Sequence, residues 1–118
     1  MGELSALSTI DEIQFRKNIE LGCYVYVIQA GEYGPVKIGF TANPFARLSE
    51  LQTGNPFPLR VVAAEFIGDR RSASELESII HNKLSEFRLK GEWFAFNEQV
   101  REFVSCWVNG ASFYCLVS

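Results

Sequence analysis

The eighteen residues CYVYVIQAGEYGPVKIGF, Cys23 to Phe40, decide the fold. The run "CYVYVIQA" is aromatic and β-branched almost throughout and reads as a strand. Alternation puts Tyr24, Tyr26 and Ile28 on one face, and Val25, Val27 and Gln29 on the other. "GEYGP" is a Gly/Pro turn cluster, and "VKIGF" returns as the second strand of a hairpin. Lys37 sits in the middle of that return strand. A buried charge costs several kcal/mol unless it is compensated, so Lys37 lies on a solvated face or meets something negative.

Downstream, "NPFARLSELQTG" predicts a helix capped by Asn43, with Pro44 at its first position and Gly54 as its stop. Phe45, Leu48 and Leu51 form its apolar stripe, and Arg47 falls at the rim, where a long side chain buries its stem. "RVVAAEFIG" predicts a third strand. Ser72-Ala73-Ser74-Glu75 has the capping-box form and opens a helix to Phe87 with Leu76, Ile80 and Leu84 on its buried side. "GEWFAF" predicts a turn and a compact aromatic segment, with Trp93 and Phe94 as core. A last helix runs from Glu98 to Val108. Thr9 to Glu12 predicts the cap of a helix over Ile10 to Leu21, and "SFYCLVS" a short terminal strand.

The chain has 118 residues, enough for one domain with a modest core. No apolar run approaches a membrane span, and the start lacks a basic head with an apolar stretch. Three widely spaced cysteines, Cys23, Cys106 and Cys115, exclude a disulfide framework and predict reduced core thiols in a cytoplasmic or nucleoid-associated protein. The net charge of −3 excludes an indiscriminately basic nucleic-acid binder. Yet residues 36–91 hold eight Lys/Arg against six Asp/Glu, a slightly positive centre between acidic flanks.

The motifs "VYV", "KIG.T", "R...L", "E...H" and "GEWF" follow one another in order between Tyr24 and Phe96. That series resembles the GIY-YIG nuclease superfamily, and more closely its phage T5-type and meiotically up-regulated branch. The resemblance implies an α+β domain: a small three-stranded antiparallel sheet flanked by helices, with its core at 24–96, an N-terminal helix before it and a C-terminal helix and tail after it. It implies an endonuclease domain that hydrolyses DNA phosphodiester bonds with Mg²⁺ or Mn²⁺. Carried over position by position, it places Tyr26, Lys37, Arg47 and Glu77 at the site. Lys37 stands where the name-giving motif has its second tyrosine.

Those residue types suit the chemistry. Glu77 would be the carboxylate ligand of a hard divalent ion, which keeps several waters of its own. It lies about 80° from its helix's stripe centre, nearer the buried edge than Glu75 at about 120°. Arg47 would grip a phosphate oxygen with its planar fork, although a surface bond to Glu50 is the ordinary alternative. Tyr26 would orient or deprotonate the water, with Lys37 lowering its pKa. Tyr24 and His81 are secondary candidates, His81 one turn beyond Glu77. A non-cleaving nucleic-acid-binding or regulatory module with the same fold is the rival expectation, since phosphate contacts alone read no sequence.

Overall fold

A computed structural model describes residues 22–112. The predicted N-terminal helix, the strand predicted from "SFYCLVS" and Cys115 lie outside the described residues. Strands β1 (Cys23–Ala30) and β2 (Val36–Thr41) form the predicted hairpin, with Tyr26 opposite Gly39 and Ile28 opposite Lys37. Helix α1 (Pro44–Gln52) follows, with the Asn43 side chain accepting from the Ala46 N–H as foreseen. Strand β3 (Leu59–Gly68) returns on the other side of β1. Helix α2 (Arg70–Lys83), a 3-10 turn (Ser85–Phe87), strands β4 (Arg88–Lys90) and β5 (Trp93–Phe94), and helix α3 (Glu98–Val108) complete the described part.

The sheet has five strands, in the order β3-β1-β2-β5-β4, all antiparallel. This corrects the three-stranded expectation. The two extra strands come from "RLKGEWF", where β4 and β5 are too short for any alternation to register. β2 would otherwise expose a row of unpaired backbone groups, and β5 pairs with Val36 and Lys37 to cover it. A second correction concerns α2. Asp69, not Ser72, caps it, accepting from the Ser72 N–H at 2.8 Å and from the Ser72 hydroxyl at 3.0 Å. The helix therefore starts one residue after Asp69, and it ends at Lys83 rather than Phe87.

Both faces of β1 are buried, so the core has two halves. Val25, Val27, Val36, Ile38 and Phe94 pack against Leu76 and Ile80 of α2 and Val104 and Trp107 of α3. On the opposite face Tyr26, Ile28, Leu59 and Val61 pack with Leu48 and Leu51 of α1 and with Trp93. Cys23 is a buried free thiol as expected, whereas Cys106 is exposed, so that part of the core-thiol expectation fails. No helix among the described residues is long and apolar enough to cross a membrane.

Candidate active site

The site begins where β5 ends. Beyond Lys37 the outer edge of β2 has no strand partner, and other groups satisfy its backbone instead. The Ile38 N–H donates to the Glu92 carbonyl at 3.1 Å. The Ile38 carbonyl accepts from His81 Nε2 at 2.6 Å, and the Phe40 N–H donates to Glu77. One turn of α2 thus lays both Glu77 and His81 along the strand edge, because residues four apart share a helix face.

His81 is wholly occupied there. Arg88 Nη2 lies 3.3 Å from Nδ1, and the ring packs edge-on against Phe94 at 5.0 Å. It closes the sheet edge and has no nitrogen left for a metal-bound water or a phosphate. Tyr24 shares the face of Tyr26 but is buried edge-on against Phe66 at 5.4 Å.

The other four sequence candidates come together, joined by one that sequence reading treated as packing. Lys37 Nζ bonds Glu92 Oε1 at 2.9 Å, which supplies the negative partner its burial requires. Glu92 also hydrogen-bonds Glu77. Burial first, then the charge of Glu92 and the bond to it, push the Glu77 carboxyl up to about 7 from its ordinary 4.5, although Lys37 and the Phe40 N–H pull the other way. In the sequence Glu92 is marked by the "GEWF" motif, whose aromatic pair reads as core packing.

Tyr26 stands beside this carboxylate pair, 1% exposed. Burial, followed by the charge of Glu92, raises its phenol to about 12, and the neighbouring Arg47 guanidinium only partly offsets this. Arg47, rather than Lys37, is the cation that acts on this phenol. Gly39 supplies the space. A Cβ there would come within 2.6 Å of the Tyr26 hydroxyl and 3.0 Å of Glu92 Oε1.

Arg47 makes the predicted surface contact to Glu50, at 3.4 Å. That contact uses Nη1 alone. Its Nε is buried with no hydrogen-bond partner, a rare condition for a charged donor. Among the described residues no group of three or more His, Cys, Asp or Glu is arranged to hold a metal. The donors present are two hard carboxylates, Glu77 and Glu92. A cavity of about 400 Å³ lies along α2 at Ser78, His81, Asn82, Ser85 and Arg88, and none of Tyr26, Lys37, Arg47 or Glu77 lines it.

The family model of the T5orf172 domain matches residues 23–108, from the first residue of β1 to the last of α3. The chain belongs to the T5orf172 domain family. The match spans every element just described, including the β4–β5 pair that carries Glu92. Searches of curated proteins and of solved structures returned no match. In this T5orf172 domain the cluster therefore stands on its own geometry: two cations, two carboxylates and a buried phenol around the free edge of β2.

Proposed function

We propose that this T5orf172 domain is a GIY-YIG-type endonuclease that hydrolyses DNA phosphodiester bonds, with Mg²⁺ or Mn²⁺ held by Glu77 and Glu92. The observation that carries the reading is the unpartnered Arg47 Nε, buried on a guanidinium that also bonds Tyr26, the phenol that faces Glu92 and Glu77. A phosphodiester oxygen is the acceptor that donor lacks. The charges support the same assignment. With Glu77 ionised, two cations and two carboxylates cancel; a divalent ion makes the site net positive.

A carboxylate pair suits a hard ion, and two protein oxygens are enough for Mg²⁺, which retains water. When bound, such an ion supplies Lewis acidity and a more acidic water. The chain's own groups do the rest. Arg47 holds a non-bridging oxygen through a planar fork of donors, and Lys37 neutralises charge growing on the phosphate. Tyr26, kept protonated, donates from a fixed hydroxyl and orients the reacting oxygen rather than removing its proton. Gly39 keeps the floor between them open.

Purified protein incubated with plasmid DNA and Mg²⁺ or Mn²⁺ is expected to cleave it, and EDTA to stop it. Arg47→Lys keeps the charge and loses the fork, and is expected to lower the rate about 100-fold. DNA binding that weakens with salt, with no cleavage in any divalent metal, would mark a non-cleaving module instead.

The acidities give a separate check. Metal binding requires Glu77 without its proton, so Mn²⁺ affinity is expected to rise as pH increases through about 7. Burial of Glu77 stays when Glu92 is replaced by Gln but the neighbouring charge goes, so the Glu77 carboxyl carbon should titrate below its value in the parent by NMR. Tyr26→Phe is expected to slow cleavage without altering the pH profile below about 10, since the phenol titrates near 12. An alkaline limb that disappears with the hydroxyl would restore Tyr26 as the base.

A further inference from the structure

A groove of about 230 Å³ opens beside Lys37, lined by Ala30, Pro35, Asn55, Phe57, Leu89 and Trp93. Trp93 pairs with Lys37 across β5 and β2, so the two side chains leave the same face of the sheet. Lys37 Nζ lies 6.0 Å from the centre of the indole ring. The Trp93 wall of the groove therefore borders Lys37 of the candidate site.

Its walls are apolar and open to solvent, with Phe57 63% and Leu89 59% exposed. The Phe57 backbone is nonetheless held in place. Its N–H donates to Asn55 Oδ1 at 3.0 Å, and its carbonyl accepts from Gln52 Nε2 at 3.0 Å. An exposed aromatic wall on a held backbone, ending near a cation, fits a ligand with a flat apolar body and an anionic group attached. No acidic residue lines the groove itself; Glu32 lines an adjoining hollow that does not reach Trp93.

We propose that the groove takes one unpaired nucleobase of the DNA strand whose phosphate lies at Lys37 and Arg47, which makes locally single-stranded DNA the favoured substrate form. The inference rests on the proposed function and adds the form of its substrate. In continuous duplex each base is stacked on its neighbours and none is available to fill the groove. In an unpaired strand, a base stacking on an aromatic side chain is worth about 1–3 kcal/mol.

The test measures fluorescence anisotropy with Ca²⁺ in place of Mg²⁺ so that strands remain intact. The probes are one labelled single strand, the same strand with an abasic stretch, and its blunt duplex. The intact single strand is expected to bind about tenfold or more tightly than the duplex or the abasic strand. Phe57→Ala removes an exposed ring and is expected to weaken the single strand about 5- to 100-fold while leaving the duplex unchanged; Leu89→Ala serves as the second variant.

Equal binding of intact and abasic strands, or an equal loss on all three probes, overturns the groove. If Arg47→Ala weakens every probe and Phe57→Ala weakens none, the phosphate site stands and the groove falls. If the parent binds no probe, both fall. A concentration-dependent sedimentation coefficient that Phe57→Ala abolishes would put a second copy of the chain in the groove and overturn the assignment to DNA.

Discussion

Glu77→Gln is expected to give a protein that is more stable than its parent at pH 8 and unable to cleave DNA. The stability half follows from the raised acidity constant. Folding holds Glu77 near 7 against 4.5 in the open chain, so the folded state binds the extra proton between those values. Its contribution is most favourable below about pH 4.5, declines as pH rises through 7, and is constant above that. Glu77 is only half-buried and solvent screens it, so the penalty at pH 8 is on the order of 1–2 kcal/mol.

Glutamine keeps an oxygen for the Phe40 N–H and offers Glu92 an amide donor, removing the repulsion without creating a cavity. The melting temperature should rise at pH 8 and match the parent near pH 4.5. Cleavage should fall about 10³-fold, the upper range for losing one group that organises charge in a transition state. An equal rate in parent and variant would end the role of Glu77. A variant less stable than the parent at pH 8 would show that the two carboxylates do not repel.

The second large effect is expected at Gly39. Here the glycine is needed for space rather than for an unusual backbone: a Cβ would lie 2.6 Å from the Tyr26 hydroxyl oxygen and 2.8 Å from the ring carbon that bears it. Tyr26 is enclosed by Ile28, Leu59 and Val61 and by α1, so its ring has nowhere to withdraw. Gly39→Ala is expected to cost about 1–3 kcal/mol, the usual range for overpacking, and to abolish cleavage by displacing Tyr26 and Glu92 together.

Adding Tyr26→Phe should relieve part of that strain, so thermal melts of the double variant should show less than the sum of the two losses. Cleavage should remain lost. A fully stable and active Gly39→Ala protein would mean that the floor of the site is looser than these distances imply.

Local signals carried much of this protein. The hairpin from Cys23 to Phe40, the Asn43 cap of α1, the third strand and the helix from Glu98 to Val108 are written in short-range patterns, because turn chemistry, capping and alternation act within a few residues. The ordered motifs also pointed to a phage T5-type domain, and the T5orf172 family model matches residues 23–108.

Other features arose only when distant segments met. β4 and β5 are three and two residues long, and they are strands because β2 needs an edge partner. Asp69 caps α2 three residues ahead of Ser72, accepting from the Ser72 N–H itself. Glu92 became central because the β4–β5 turn sets it against Lys37, fifty-five residues away in the chain.

The acidities belong to the tertiary structure as well. The lysine placed beside Tyr26 was expected to lower its pKa, whereas burial and Glu92 raise it. Residue types and their spacing determined which groups are present and which strand or helix carries each. How far each is removed from water, and which charge it faces, was decided by packing, since desolvation and Coulomb interaction depend on distances through space that the order of residues does not contain.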